Sequence, residues 1–323
     1  MKAREDFKRI NPAFVERYDE IDGSAEFYEY LCKPLRQSIR VNTLKGDYDE
    51  IVSLLQEKYR LEPISWCREG FFIDVEGDRA EGDETETAIA TIGNTIEHQL
   101  GLIFSQEASS MLPPVVLSPK PEELVLDMAA SPGAKTTQIA QYMENKGCII
   151  ANDVKWERIN ILISNIQRCG AANVVVTIRD GRSFKRFNSK FDRVLLDAPC
   201  SNVGMIRKNF KYLKIWNERE VYSLSRLQKG LIMAAYTALK PGGVLVYSTC
   251  TLEPEENEEV IDYLLSNTNA RLEEIDVPLH STKPLLEWRG KRYDREVRKC
   301  LRIHPQDNDS EAFFVAKVVK DED

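Results

Sequence analysis

A doubly wound α/β domain with a mixed seven-stranded sheet, preceded by a small α+β domain, is the fold class this sequence predicts. Three observations carry it. Residues 124–138, LVLDMAASPGAKTTQ, read as a short apolar strand, a turn of small residues broken by Pro132 and Gly133, and a helix resuming at Lys135. From about Ile103 onward strand and helix patterns alternate in the same way. Ahead of that point the order is strand, helix, strand, strand, too short for a second doubly wound unit.

In chain order, residues 4–18 carry a helical pattern, with Pro12 marking a break or a fresh first-turn position. Residues 38–42 (SIRVN) alternate as a strand, and 47–59 set Ile51, Leu54, Leu55 and Lys58 at helical spacing. Short strands are predicted at 61–64, 71–75 and 87–92, around an acidic, glycine-containing loop at 76–84. This gives a first domain at 1–102 and a second at 103–323. In the second, a helix over 106–112 runs into Pro113 and Pro114. Strands at 124–127, 148–152, 173–178, 191–197 and 243–248 follow, with helices at 135–143, 156–169 and 218–239. A last pair, 271–275 and 312–319, closes the sheet as an antiparallel hairpin.

Composition narrows the class. With 42% hydrophobic and 30% charged residues over 323 positions, the chain reads as a soluble globular protein. The opening MKAREDFKRINP has no apolar signal core, and no stretch reaches the length of a membrane span, so a cytoplasmic location is expected. Seven cysteines without a C-x-x-C pair, and histidines scattered at 98, 280 and 304, predict free thiols and no metal site. The net charge of −8 speaks against a polyanion, but its distribution does not. Residues 74–86 hold seven acids against one arginine, whereas 203–217 hold Arg207, Lys208, Lys211 and Lys214 with no acid, interleaved with Phe210, Tyr212 and Trp216. Residues 283–304 add eight basic side chains against three acidic ones. These stretches fit a localised polyanion track, or else ordinary solvated faces and loop packing.

Ligands of a doubly wound fold sit outside the carboxyl ends of its strands. There the sequence places the turn Ala129, Ala130, Ser131, Pro132, Gly133, Ala134 and Lys135, then Asp153, Asp180, Asp197-Ala-Pro-Cys200 and Ser248-Thr-Cys250. A helix N-terminus with small residues before it accepts an anionic group, and an acid at the end of the second strand accepts ribose hydroxyls. The phosphate-loop pattern fails because positions 129 and 134 are alanine, and G-x-G-x-x-G is absent. An adenosine ligand without pyrophosphate fits, which S-adenosyl-L-methionine is. If the fourth and fifth strands are neighbours, Cys200 and Cys250 share one pocket with Asp197.

The motifs PLRQSIRVNTLK (34–45), SQEASSMLPPVVLSP (105–119), DMAASPGAKTTQ (127–138), DAPCS (197–201), LKPGGVLVYSTCTLEPEENE (239–258) and RIHPQDNDSEAFFVAK (302–317) resemble the Nop/RsmB/Sun (Fmu) family of RNA 5-methylcytosine methyltransferases, in its compact archaeal form. The resemblance implies a class I, Rossmann-like methyltransferase fold with an N-terminal RNA-recognition-like domain. It implies Cys250 as nucleophile, Cys200 as the thiol that assists release, and Asp197 beside them. It also implies cofactor contacts at 129–135, Asp153, Arg158, Asp180 and Asp197, for S-adenosyl-L-methionine. Ser131, Ala134, Asn202-Val203 and Ala312 depart from the usual family residues. Carbon 5 of cytosine is a poor nucleophile, so a thiolate must first add to carbon 6. Asp197 in protonated form is expected to support ring nitrogen 3, and Cys200 or a water it positions to take the proton from carbon 5. The expected partner is RNA, transfer RNA ahead of ribosomal RNA, bound by a monomer with Arg40, Arg207, Lys208 and Lys211 in contact.

Overall fold

The computed structural model describes residues 2–75 and 92–321. Helices α1 (Lys2–Ile10), α2 (Pro12–Ile21) and α3 (Ala25–Cys32) come first. Pro12 opens α2 and Asn11 caps it by accepting from the Phe14 amide, so of the two readings of Pro12 the fresh first-turn position is the one observed. Next come β1 (Ser38–Val41), α4 (Tyr48–Gln56), β2 (Tyr59–Pro63), β3 (Gly70–Val75), α5 (Ile96–Gln99) and β4 (Ile103–Ser105). Their antiparallel sheet has the order β2-β3-β1-β4. Its fourth strand therefore lies beyond residue 102, and the expected domain boundary would cut the sheet. The predicted strand at 87–92 and loop at 76–84 fall outside the described residues, apart from Ile92, which opens a 3-10 turn.

The second unit runs through α6 (Leu112–Leu117), β5 (Leu124–Asp127), α7 (Ala134–Tyr142), β6 (Cys148–Asp153), α8 (Trp156–Cys169), β7 (Val174–Ile178), β8 (Phe191–Asp197), α9 (Lys211–Ile215), α10 (Glu218–Ala238), β9 (Leu239–Thr249) and α11 (Glu258–Asn267). It ends with β10 (Ala270–Glu273), the small hairpin β11 (Glu287–Trp288) and β12 (Lys291–Arg292), β13 (Leu301–Ile303), α12 (Pro305–Asn308) and β14 (Phe313–Lys320). The helix expected over 106–112 instead begins at Leu112 and carries both prolines in its first turn, where no N–H is needed. Strand order is β10-β14-β9-β8-β5-β6-β7, parallel from β9 to β7 and antiparallel at β14 and β10. An eighth strand, β13, shares the outer edge of β14 with β10.

Alternation along the strands fills both faces of this sheet. Leu126, Val194, Leu196, Leu245, Tyr247 and Phe314 pack into one core, while Val125, Leu195, Val246, Phe313 and Val315 pack into the other. Phe7, Phe14, Tyr18, Phe27 and Tyr28 of α1–α3 belong to the first of these cores. The N-terminal helices thus cover the large sheet, and the four-stranded sheet has a core of its own around Ile39, Val41, Leu55 and Ile73.

Candidate active site

The site is assembled by strand register. Parallel pairing of β8 and β9 sets Asp197 opposite Ser248, so the segments leaving both strands emerge side by side. A cavity of about 740 Å³ opens there, at the carboxyl ends of β5, β6, β8 and β9.

One half of it is lined by residues expected to contact the cofactor, Ala129, Ala130, Ser131, Pro132, Ala134 and Lys135, with Asp153, Arg158, Asp180 and Asp197. Gly133 does not line it but makes the turn possible. Its φ of 105° is left-handed, and a Cβ there would lie 3.0 Å from Leu162. Asp153 is buried at the end of β6; Oδ1 accepts from the Lys155 amide at 2.9 Å, and Oδ2 has no hydrogen-bond partner, its nearest cation being Arg158 at 3.4 Å. Asp127, also buried, accepts from Thr136 at 2.7 Å through one oxygen and leaves the other unpartnered. Burial pushes its carboxyl up to about 7, against the Thr136 bond. Asp180 is half exposed and ion-paired with Arg182, whose hydrogen bond holds it below the usual carboxylate range.

In the other half the Cys200 and Cys250 sulfurs lie 3.1 Å apart, and Asn202 Oδ1 is 3.4 Å from Cys250. No disulfide joins them. Gly204 permits this approach: its amide donates to the Cys250 carbonyl at 2.9 Å, and a Cβ there would sit 2.6 Å from the Ala312 carbonyl. Asp197 accepts from Lys135 Nζ at 2.7 Å through Oδ2 and from Ser248 Oγ at 2.7 Å through Oδ1. The carboxyl expected to give a proton therefore stands in an ion pair with Lys135, at hydrogen-bond distance from Ser248 as well. Burial works against the Lys135 charge, but Asp197 outweighs it and holds the ammonium above its ordinary value. The Cys200 hydrogen bond, and then burial, push the Cys250 thiol well above the ordinary range.

Sequence reasoning missed Glu107 and Glu311, which line this half; Lys208, expected to contact RNA, lines it beside them. Both acids stand inside motifs, SQEASS and DSEAFF, but nothing local shows that they meet. It also missed the role of the acids after Cys250. Glu253, Glu255, Glu256 and Glu258 are all buried. Arg17 of α2 pairs with Glu253 at 2.8 Å and also with Glu255; Trp216 and Trp288 donate to Glu253 and Glu255; Arg302 pairs with Glu258 at 2.8 Å. The loop that carries Cys250 is therefore gripped by side chains nearly the whole chain apart.

Two expected RNA contacts are corrected. Arg40 is fully buried: Nε donates to Gln106 at 2.9 Å, and the other nitrogens reach Gln141, Thr137 and the Ala134 carbonyl. It ties β1 to α7, the helix of the cofactor turn. Arg207 is buried too, donating to the carbonyls of Lys33, Pro34 and Ser310 and pairing with Asp309 at 2.6 Å. Lys211 is exposed on α9. Trp216 is buried edge-on against Phe14, Tyr212 packs against the same core, and Phe210 is part-exposed beside Phe7. In 283–304, Arg289, Lys291, Arg292, Lys299 and Arg302 are each paired with an acid of the chain.

No helix among the described residues is long and apolar enough to cross a membrane. The family model described as 16S rRNA methyltransferase RsmB/F matches residues 114–319, and that of the N-terminal domain of 16S rRNA methyltransferase RsmF matches 10–108. Over 321 residues the chain is 59% identical to a curated relative, the tRNA (cytosine(49)-C(5))-methyltransferase of Pyrococcus abyssi, with 99% of each chain covered. It is 42% identical over 315 residues to ribosomal RNA small subunit methyltransferase F of Vibrio vulnificus, spanning 95% of this chain but 63% of that one. Among solved structures, a methyltransferase homolog protein from Pyrococcus horikoshii superposes with a TM-score of 0.85 at 35% identity, covering 99% of both chains. NSun6 from Pyrococcus horikoshii with SFG gives 0.77 at 27% identity, covering 99% of this chain and 98% of that one.

Proposed function

Because the chain belongs to the RsmB/F family of methyltransferases, we propose that it methylates carbon 5 of a cytosine in transfer RNA, with S-adenosyl-L-methionine as donor and Cys250 as nucleophile. The observation that carries the reading is the pair of thiols 3.1 Å apart, beside Asp197–Lys135 and in one cavity with Asp153. Full-length similarity to an enzyme named for cytosine 49 of tRNA supports that base as the target, since the ribosomal relatives match over only part of their length.

The residues present fit the cofactor. The Oδ2 of Asp153, ion-paired with Arg158 but without a hydrogen bond, is a buried acceptor open to donors such as ribose hydroxyls, and the Gly133 turn opens the N-terminus of α7 to a carboxylate. When bound, S-adenosyl-L-methionine supplies a methyl group on a sulfonium. The protein's part begins at Cys250, whose thiolate adds to carbon 6 and makes carbon 5 nucleophilic. The Lys135–Asp197 pair supplies the hydrogen bond or proton that ring nitrogen 3 needs as negative charge develops. Once carbon 5 is methylated its proton must leave before Cys250 can be expelled, and Cys200, in contact with Cys250, is placed to assist. The target base must be unstacked to reach so deep a pocket.

In a methyl-transfer assay on tRNA transcripts, Cys250→Ala is expected to abolish incorporation, and Cys200→Ala to accumulate a protein–RNA adduct that survives denaturing electrophoresis. Bisulfite sequencing of the product should show protection at cytosine 49. Undiminished methylation by Cys250→Ala would remove the covalent mechanism, and protection in small-subunit ribosomal RNA alone would replace tRNA as substrate.

A further inference from the structure

The cavity wall near Cys250 carries three charged side chains that the mechanism above does not use: Glu107, Lys208 and Glu311. They come from distant segments, after β4, after the Cys200 loop and just before β14. Lys208 Nζ lies 2.6 Å from Glu311 Oε1. The Glu311 amide donates to Glu107 Oε1 at 3.1 Å, while Glu107 Oε2 accepts from the Ser110 amide at 3.1 Å and from the Ser109 hydroxyl. Ser110 Oγ in turn accepts from Lys135, the partner of Asp197, at 2.8 Å. The two charge pairs are thus joined through residues 107–110 into one polar band lining the cavity that holds both thiols.

Two carboxylates and two ammonium groups act on Cys250. Besides Cys200, the carboxylates of Glu311 and Asp197 oppose its thiolate, and the ammonium groups of Lys208 and Lys135 are the cations that favour it. Asp197 and Lys135 already neutralise each other at 2.7 Å. Lys208 has one partner, Glu311, which burial and then the neighbouring Glu107 push up to about 7. Lys208 itself is held above its ordinary value, since Glu311 and Glu107 outweigh its burial.

We propose that Lys208 and Glu311 are positioning residues that set the ionisation of the nucleophile: Lys208 holds the Cys250 thiolate, and Glu311 competes for Lys208 until it accepts a proton. The inference rests on the reading of Cys250 as nucleophile. In the step it describes, the S–H bond of Cys250 breaks, its electron pair stays on sulfur, and the proton forms an O–H bond on Glu311. Lys208 changes partner from carboxylate to thiolate, and the three groups carry zero net charge before and after.

The test reads the thiol directly. The full-length protein and its variants are alkylated with iodoacetamide between about pH 5.5 and 9.5, and the Cys250 peptide is quantified by mass spectrometry, because only the thiolate reacts. Glu311→Gln, which removes the competing charge, should speed alkylation at pH 7 about tenfold, one unit of thiol pKa. Lys208→Met should slow it about tenfold and recover at high pH, and Lys208→Arg should restore the wild-type profile. Retained binding of S-adenosyl-L-methionine reports an intact fold. Opposite shifts support the inference; shifts in one direction, or unmoved profiles, overturn it. Alkylation needs no RNA, so a wild-type chain inert on every RNA would defeat the proposed substrate while the measured shifts still decide the role of this pair.

Discussion

Asp153 shows how much a single oxygen can decide. Its Oδ1 is spent on the Lys155 amide, whereas Oδ2 is buried without a hydrogen-bond partner, a condition that costs about 1–3 kcal/mol unless a donor arrives. Asp153→Asn keeps the shape and removes the charge. It should weaken S-adenosyl-L-methionine binding about 10- to 100-fold by calorimetric titration, at the cost of about 1.5–3 kcal/mol for a charged hydrogen bond, with little change in melting temperature. Unchanged affinity would take Asp153 out of the cofactor site. At this scale the residues legible in the sequence are those whose neighbours in the chain announce them, such as Asp197 and Cys200 in DAPCS. Arg40 and Arg207 were misread because an arginine that binds phosphate and one that satisfies buried carbonyls are the same letter. Only tertiary contacts with Gln106, Gln141 and Ser310 tell them apart.

At the scale of elements, the segment between β9 and α11 is held by buried charge. Breaking a buried pair such as Arg17–Glu253 leaves an uncompensated charge, at a cost of about 3–5 kcal/mol. Glu256 is different, since its partners are neutral: Gln228 Nε2 at 2.8 Å and the Ser201 amide at 3.1 Å. It thereby joins the loop after Cys200 to the loop after Cys250. Burial pushes its carboxyl up to about 8 from an ordinary 4.5. Between those values the folded chain keeps a proton that the unfolded chain has released, so this group's contribution is fully present below about 4.5 and is lost as pH rises through about 8. Glu256→Gln should flatten the fall of melting temperature between about pH 5 and 8.5 in differential scanning calorimetry; an unaltered slope would mean that Glu256 is ionised in the fold. The sequence disclosed α8 and α10 almost to the residue because a long amphipathic period is local information. It misplaced α6, because prolines 113 and 114 stop a helix that precedes them but suit the first turn of one that starts there.

At the scale of the whole molecule, the division of the chain matters most, because a boundary at 102 assigns the first three helices to the small N-terminal unit. Their packing assigns them elsewhere. Phe14 meets Trp216 edge-on at 5.4 Å, Asn11 Nδ2 donates to the Leu213 and Trp216 carbonyls, and Tyr18 and Arg17 both bond to Glu253. The sheet of β1–β4 has a core of its own, but Ile64, Trp66, Cys67 and Phe72 on and beside it pack into the second core of the large sheet, and Arg40 and Asn42 add polar links. Helical periodicity in 4–18 reveals that a face is buried, not which surface buries it, so the assignment could not be made from sequence. A chain beginning at Pro34 should therefore lose more than an accessory domain. It exposes the aromatic core around Trp216 and strands the buried carboxylates of Glu253 and Glu255 without Arg17. Removing five large buried aromatic side chains, at about 1.5–3 kcal/mol each, is comparable with the whole of the roughly 5–15 kcal/mol that holds a typical fold. Expressed under the conditions that yield the full chain, the truncated protein is expected in the insoluble fraction, or with no cooperative melting transition. A soluble truncated chain that melts cooperatively and still binds S-adenosyl-L-methionine would show that α1–α3 are dispensable to the catalytic core and return them to the N-terminal domain.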